Sequence, residues 1–207
     1  IIQACGTSWH SGLMGKYLIE DIARVPTEVD ISSEFRYRRM LNSSNEIVVA
    51  ISQSGETADT LACIREAKSK FFSILSFVNV EGSSIDRESD GVIYTNAGPE
   101  IGVASTKNYI GQLLTIYLFA LHLGRIRQTI SQDKYLEHLS QIKQLPVLIE
   151  QVLNQESMIK YTTEWYQKVI DGDSPLNVSE NLLDRYLEDC EKFYYDFEAN
   201  RKGKINA

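Results

Sequence analysis

Hydroxyl-bearing side chains are concentrated in the stretch that follows Val48-Val49-Ala50-Ile51, an apolar and mostly β-branched run. Such a run predicts a buried strand, and the helical spacing of apolar residues between Glu56 and Lys70 predicts a helix after it. The turn between them offers three hydroxyls and one amide, from Ser52, Ser54, Thr57 and Gln53. Beside the free N–H groups of a helix start, these groups favour anion binding, and we expect phosphate. The alternative is a helix capped by Ser54 with no ligand.

Two further turns combine a strand end with polar residues at a predicted helix start. Residues 1–5 predict a strand, Thr7 and Ser8 follow it, and a helix is predicted from about Trp9 to Arg24. The third turn, Asn96–Lys107, leads into a helix predicted over about 109–124. In a parallel sheet these turns lie at the carboxyl ends of strands, where open α/β sheets bind ligands. We therefore expect the turns to converge on one crevice.

The order of predicted elements indicates the fold class. Strands are predicted at residues 1–5, 27–31, 48–51, 71–78 and 91–95, with helices between most of them. This alternation predicts an α/β domain with a five-stranded parallel sheet and helices on both faces. Residues 125–153 read as helical with a break at Pro146, and two polar helices are predicted beyond them. We predict a domain over residues 1–153 and a helical tail over 154–207.

Composition excludes several classes of function. The 207 residues carry a net charge of −7, so the chain lacks the basic surplus that nucleic-acid binding requires. We find no apolar run of membrane-spanning length and no signal peptide, and we expect a soluble, cytoplasmic protein. The three cysteines and three histidines show no metal-ligand spacing, so we predict reduced thiols, no metal and no cofactor.

Four motifs resemble one enzyme family, the isomerizing glutamine–fructose-6-phosphate aminotransferases, also called glucosamine-6-phosphate synthases. They are ACGTS at 4–8, EFRYR at 34–38, SQSGETADT at 52–60 and NAGPEIGVASTK at 96–107. The resemblance is to the first half of the family's sugar isomerase (SIS) region and extends from residue 1 to about 153. It implies a flavodoxin-like SIS fold.

The resemblance also implies a ligand and the residues that contact it. The family makes glucosamine 6-phosphate and glutamate from fructose 6-phosphate and glutamine. By resemblance, the turn after the central strand holds the sugar phosphate through Ser52, Gln53, Ser54 and Thr57. Thr7 and Ser8 are implied to lie along the sugar, and Val103, Ala104 and Ser105 to line the pocket. Because SIS domains usually pair, we expect a homodimer or another SIS-mediated oligomer.

The chain departs from the family pattern in two respects. The family has a preceding glutaminase domain with an N-terminal cysteine nucleophile, and Cys5, inside a strand-turn motif, is not that cysteine. A second SIS half should supply the groups that move protons, and residues 154–207 contain no counterpart. Isomerisation needs a base, and we predict no catalytic residue here, although Glu56 and Glu100 should lie near the crevice. We expect a fructose 6-phosphate-binding portion that is incomplete as an enzyme; the alternative is a non-catalytic phosphosugar-binding or regulatory module.

Overall fold

The computed structural model of the chain describes residues 1–35, 37, 46–100, 105–155 and 160. The strands are β1 (Ile2–Ala4), β2 (Val29–Ile31), β3 (Ile47–Ser52), β4 (Ser73–Val78) and β5 (Gly91–Tyr94). The helices are α1 (Gly6–Leu18), α2 (Ser32–Phe35), α3 (Ala58–Ser69), α4 (Ser84–Glu88), α5 (Lys107–Ile126), α6 (Gln132–Ile142) and α7 (Leu145–Leu153). A π-helical turn, Ile19–Ala23, continues α1.

The five strands form one sheet in the order β2-β1-β3-β4-β5, and every neighbouring pair is parallel. The chain therefore leaves β1 toward one side and β3 toward the other, as in flavodoxin-like sheets. Right-handed crossovers then place α1 and α3 on opposite faces of the sheet. The contacts agree, because α1 packs with α5 whereas α3 packs with α2 and α4. The predicted parallel sheet with helices on both faces is confirmed.

Helix α1 lies close against the sheet because it carries glycines where its neighbours approach. A Cβ atom added at Gly12 would stand 2.9 Å from Ile2 Cγ2, and one at Gly15 would stand 2.7 Å from Ile116 Cγ2. The helix begins at Gly6 rather than at Trp9, since the Trp9 N–H already donates to the Cys5 carbonyl at 3.3 Å. The predicted start was therefore three residues late, and Thr7 and Ser8 lie in the first helical turn.

The opposite face of the sheet holds a continuous apolar core. Helix α3 buries Cys63, Ile64 and Ala67, whose spacing of one and four residues puts them on one side of a helix. They pack with alternate residues of β3 and β4, which point to the same face. The cluster consists of Phe35, Val48, Ala50, Cys63, Ile64, Ala67, Phe72, Ile74, Val78 and Ile85. This core fixes the position of α3, and with it the turn that joins β3 to α3.

Helix α5 is the one described helix whose length and mean hydropathy, 1.2, match those of a membrane span. Core helices of folded domains share these properties. Here α5 packs against α1 and the Ile19–Ala23 turn, with Asn108, Gln112, Ile116 and Ala120 buried at intervals of four residues. The Phe119 ring also meets Phe77 of β4 edge to face at 5.3 Å. These contacts place α5 in the helical layer over the sheet.

The chain divides into two compact units, residues 1–140 and 141–207. In the second unit α7 starts at Leu145 with Pro146 in its first turn, where a helix does not need the N–H that proline lacks. The predicted helix break at Pro146 was therefore misplaced, because the interruption precedes the proline. Residues 161–207, where the two tail helices are predicted, lie outside the described residues, and the domain boundary at residue 153 stays a prediction.

Candidate functional site

The carboxyl ends of all five strands lie at one edge of the sheet. In the parallel registers Ala4 lies beside Ile51, Ser52 beside Val78, and Val78 beside Tyr94. The turns after β1, β3, β4 and β5 therefore start at the same level and on the same edge. The strand order reverses between β1 and β3, and a crevice opens at this point of such sheets. The parallel sheet therefore brings these turns to one edge, as predicted.

The turn from Ser52 to Thr57 is held together by its own hydroxyls. Ser52 Oγ accepts the Gly55 N–H at 3.1 Å and lies 3.0 Å from Thr57 Oγ1. Ser54 Oγ accepts the Glu56 N–H at 3.2 Å. A serine or threonine hydroxyl that accepts one hydrogen bond still has a proton to donate. The turn therefore has a fixed shape and retains donors for a ligand.

The first turn of α3 adds backbone donors to this turn. Thr57 is the N-cap residue, but its side chain makes no capping hydrogen bond. The first intrahelical bond runs from Leu61 N to Thr57 O at 3.0 Å, so the amides of residues 58–60 have no carbonyl partner in the helix. The capping role considered for Ser54 was wrong, since Ser54 stands three positions earlier and bonds to Glu56. Open amides and the positive end of the helix dipole favour an anion here.

Gly55 allows the turn to close against α4. Its φ is +68°, and a Cβ atom there would stand 2.0 Å from Ser83 Oγ. The Gly55 carbonyl accepts the Ile85 N–H at 2.9 Å, so the turn is bonded to α4 at the point of closest approach. Only glycine combines a positive φ with the absence of a side chain. The shape of the Ser52–Thr57 turn thus depends on the connection between β4 and α4 as well as on its own residues.

Thr7 and Ser8, in the first turn of α1, have different surroundings. Thr7 is exposed at the edge of the crevice. Ser8 is buried, and its Oγ accepts a hydrogen bond from Gln112 Nε2 of α5 at 2.9 Å. Gln112 Oε1 in turn accepts from Ser11 Oγ at 3.0 Å. Sequence reasoning missed Gln112 and Ser11, which the structure places on the buried faces of α5 and α1.

Asn79 was also missed, although it directly follows the buried strand β4. Its Oδ1 accepts the Ala97 N–H at 2.8 Å and the Thr95 hydroxyl at 3.1 Å, and its Nδ2 donates to the Gly98 carbonyl at 2.8 Å. Its backbone N–H donates to the Gln53 carbonyl at 3.3 Å. One side chain thereby fixes the start of the turn after β5, and the backbone of the same residue joins it to the turn after β3.

Glu100 occupies the N-terminus of α5. Its carboxylate accepts hydrogen bonds from Asn108 Nδ2 at 2.6 Å, Thr106 N at 2.8 Å, Ser105 Oγ at 3.1 Å and Lys107 N at 3.1 Å. These bonds, that of Asn108 first, lower the pKa of Glu100 to about 2. A carboxylate with so low a pKa and no free lone pair is a poor proton acceptor at neutral pH. Glu100 is therefore a cap of α5.

Glu56 has the equivalent position at α4. Its Oε1 accepts the Ser84 N–H at 2.7 Å. Hydrogen bonds from the hydroxyl and the backbone of Ser84 lower the pKa of Glu56. Both carboxylates that the sequence places near the crevice are thus bound to helix N-termini. No cluster of three or more histidine, cysteine, aspartate or glutamate side chains suited to a metal ion occurs within the described residues.

The predicted site residues fall into three groups. The crevice edge carries Thr7, Ser8, Ser52, Gln53, Ser54 and Thr57 on the turns after β1 and β3. Ser105 lies beside Glu100 at the start of α5. Val103 and Ala104 lie outside the described residues. The six residues of the crevice edge therefore lie at the carboxyl ends of the two strands that border the switch point, and their contact with a ligand stays a prediction.

Comparison with known proteins assigns this architecture. The model of the SIS domain matches residues 1–122. The chain is 49% identical over 166 residues to glutamine–fructose-6-phosphate aminotransferase (isomerizing) of Caldanaerobacter subterraneus subsp. tengcongensis, covering 80% of this chain and 27% of the relative. It is 46% identical over 167 residues to that of Methanosarcina acetivorans, covering 81% of this chain and 27% of the relative. The chain thus spans about a quarter of the length of these relatives.

A solved structure agrees with the sequence comparison. The C-terminal domain of glucosamine-fructose-6-phosphate aminotransferase from Francisella tularensis superposes with a TM-score of 0.77 at 38% identity, covering 80% of this chain and 47% of that one. The match to the SIS model over residues 1–122 includes all five strands of the sheet. The chain belongs to the SIS domain family.

Proposed function

We propose that the chain binds fructose 6-phosphate in the crevice between the first turns of α1 and α3, as the sugar-phosphate-binding portion of a glutamine–fructose-6-phosphate aminotransferase. The observation that carries the proposal is the turn Ser52–Thr57 at the uncapped start of α3. It combines free hydroxyl protons with open backbone amides, and this is the donor set that a phosphate dianion requires. The similarity to aminotransferases supports the choice of fructose 6-phosphate among phosphosugars.

The acidic composition does not oppose this proposal. A net charge of −7 acts over the whole surface, whereas the donors at the α3 start act within hydrogen-bond distance. Lys107 adds an exposed ammonium group at the same sheet edge, and its Nζ stands 3.7 Å from where a Cβ atom of Gly98 would be. A phosphate in the crevice would therefore meet local positive potential despite the net negative charge.

We further propose that this chain alone does not interconvert ketose and aldose phosphates. Moving a proton between C1 and C2 of the sugar needs a base whose pKa suits neutral pH. Glu56 and Glu100 are bound to helix ends, and their pKa values are lowered rather than raised. Neither of the two carboxylates that the sequence placed near the crevice is therefore available as a base. This favours a binding role, either within the larger enzyme or as a non-catalytic phosphosugar module.

The predicted oligomer is supported by an apolar surface shared by α1 and α5. Met14 and Tyr17 on α1 are 49% and 67% exposed, and Ile110 and Leu118 on α5 are 48% and 40% exposed. The two helices pack against each other, so these exposed side chains lie on neighbouring helices. Exposed apolar side chains on neighbouring helices are typical of surfaces that another subunit or domain covers.

Calorimetric titration of the 207-residue chain with fructose 6-phosphate tests the proposal. We expect saturable binding by the unmodified chain and a loss of at least about tenfold in affinity for the Ser52→Ala, Ser54→Ala double variant, since hydrogen bonds to a charged phosphate are each worth about 1.5–3 kcal/mol. Ser69→Ala is the matched control, because its hydroxyl bonds to Glu66 O at the far end of α3. Equal affinity in the double variant would remove the turn from the site.

The same samples report on turnover. We expect no glucose 6-phosphate when the chain is incubated with fructose 6-phosphate, measured by a coupled assay over hours. Sustained interconversion at a rate proportional to protein concentration would contradict the binding-only role. Binding without turnover would leave the ligand assignment intact and support a role that depends on other segments or subunits for chemistry.

A further inference from the structure

A buried hydrogen-bonded triad joins α1 to α5 directly behind the crevice. It consists of Ser8, Ser11 and Gln112, whose exposed fractions are 7%, 0% and 1%. Gln112 Nε2 donates to Ser8 Oγ at 2.9 Å, and Ser11 Oγ lies 3.0 Å from Gln112 Oε1 and 2.7 Å from the Ser8 carbonyl. Ser8 lies in the first turn of α1 and Ser11 in the second, so both ends of the Gln112 amide face α1.

The fold does not need an amide at this position. Burying a primary amide has a desolvation cost that its hydrogen bonds only offset, whereas an apolar side chain of the same size would fill the space between the helices without that cost. On the buried face of α5, Asn108, one turn before Gln112, donates to Glu100, and the next buried residues after Gln112, Ile116 and Ala120, are apolar. A glutamine here therefore indicates a task for its donor group beyond packing.

The direction of the hydrogen bond indicates that task. A serine hydroxyl has one proton and two acceptor positions. When Gln112 Nε2 donates to Ser8 Oγ, it occupies an acceptor position and fixes the oxygen, so the Ser8 proton is left to be donated elsewhere. Ser8 lies in the first turn of α1 at the carboxyl end of β1, where the crevice opens. The triad thus holds Ser8 as a hydrogen-bond donor.

We infer that Gln112 is a positioning residue for the ligand site, holding the Ser8 hydroxyl so that its proton is presented to the bound sugar phosphate; this rests on the proposed function. Gln112 does not touch the ligand in this arrangement and acts only through Ser8. Two consequences follow. Loss of Gln112 weakens binding because the Ser8 hydroxyl turns away or loses its preferred orientation. Once Ser8 has been removed, loss of Gln112 has no further effect on affinity.

A double-mutant cycle on the 207-residue chain tests the inference by calorimetry with fructose 6-phosphate. The four proteins are the unmodified chain, Ser8→Ala, Gln112→Met and the double variant. We expect each single variant to weaken binding about tenfold, the equivalent of one hydrogen bond, and the double variant to bind no more weakly than Ser8→Ala. If Gln112→Met melts below the assay temperature, Gln112→Asn, whose amide is one methylene too short to reach Ser8, replaces it.

Ser11→Ala is the matched control, because it removes the other hydrogen bond of Gln112 and leaves the contact with Ser8. We expect it to lower the Tm while the affinity stays within about twofold of the unmodified chain. Unchanged affinity in Gln112→Met, or the same loss in both Ser8 backgrounds, would overturn the inference and leave fructose 6-phosphate binding intact. Absence of binding by the unmodified chain would overturn the proposed function and the inference together.

Discussion

Among the described helices that begin at the carboxyl edge of the sheet, α1, α3, α4 and α5 form two pairs that differ in what faces their first turns. Helices α4 and α5 each receive a carboxylate from the chain itself, Glu56 and Glu100 respectively. Helices α1 and α3 have no side-chain cap, and their N-cap residues are Cys5 and Thr57. The first pair is therefore capped by a carboxylate from another part of the chain; the second pair has no capping side chain, although α3 carries Asp59 in its first turn.

This difference selects one site among four similar helix ends. Each N-terminus presents unpaired amides and the positive end of a dipole, so each would attract an anion on its own. The two uncapped ends border the point where strand order reverses, on opposite faces of the sheet. An anion bound there can interact with both. The capped ends thus leave the starts of α1 and α3 for the proposed phosphate site, where the hydroxyl-rich turn lies.

The largest effect is expected from Gly55→Ala, which distorts the turn that precedes α3. The new Cβ atom would stand 2.0 Å from Ser83 Oγ at a φ of +68°, so the turn or α4 must move. We expect the free energy of unfolding to fall by about 2–3 kcal/mol and fructose 6-phosphate affinity to fall more than about tenfold. Urea denaturation and calorimetry measure the two quantities.

Gly82→Ala is the control for this change. Gly82 has a similar φ of +72° but nothing within 4 Å of an added Cβ atom. Gly82→Ala therefore introduces backbone strain without a steric clash. We expect the free energy of unfolding to fall by about 1 kcal/mol and the affinity for fructose 6-phosphate to be retained. Equal losses of affinity in the two variants would mean that the turn after β3 is not the phosphate-binding element.

A smaller effect is expected from Glu100→Gln, which removes the negative charge of the side chain that caps the N-terminus of α5. The pKa of Glu100 is about 2 in the folded chain against an ordinary value of 4.5, so its carboxylate contributes stability that is fully present above pH 4.5. That contribution disappears as the pH falls from about 4.5 through about 2. We expect Glu100→Gln to lower the Tm at pH 7 by several degrees, with the difference narrowing over this acidic window.

Thermal unfolding followed by circular dichroism between pH 2 and pH 7 measures this difference. Glu81→Gln is the control, because Glu81 is an exposed carboxylate in the loop before α4. If the Tm difference for Glu100→Gln stayed constant from pH 7 to pH 2, Glu100 would stabilise the fold through the geometry of its hydrogen bonds and not through its charge. The affinity of Glu100→Gln for fructose 6-phosphate should stay close to that of the unmodified chain, since the uncapped pair is unchanged.

The two pairs of helix ends also differ in how far sequence could predict them. The turn Ser52–Thr57 is local: an apolar strand run, hydroxyls and a glycine stand within ten residues, and the structure keeps them together. The parallel sheet followed from the alternation of strand and helix patterns. Boundaries were less exact, because hydrogen bonds such as Trp9 N to Cys5 O extend helices into polar residues that carry no apolar periodicity.

Longer-range bonds explain what sequence reasoning missed. Ser8 and Gln112 stand 104 positions apart, and no pattern in either helix announces that they pair. The role of Glu100 depends on four donors, from residues 105–108, at the start of α5 and just before it. Asn79 similarly acts on the turns after β3 and β5. Side chains that bridge separate connections are fixed by tertiary structure, so their roles follow only from the coordinates.

The smallest effect is expected from Glu56→Gln, which tests whether the two capped ends are equivalent. Glu56 is bonded to Ser84 alone, whereas Glu100 accepts from four groups, so the carboxylate at α4 has fewer partners to lose. The pKa of Glu56 is lowered in the folded chain, and its stabilising effect must therefore also be lost as the pH falls below its ordinary value. We expect a drop in Tm at pH 7 that is smaller than that of Glu100→Gln and larger than that of Glu81→Gln, measured in the same thermal series. A drop larger than that of Glu100→Gln would contradict this ranking. It would mean that the bond between Glu56 and α4, next to Gly55, stabilises the carboxyl edge of the sheet more than the Glu100 cap does, and so helps to hold the turn at the start of α3.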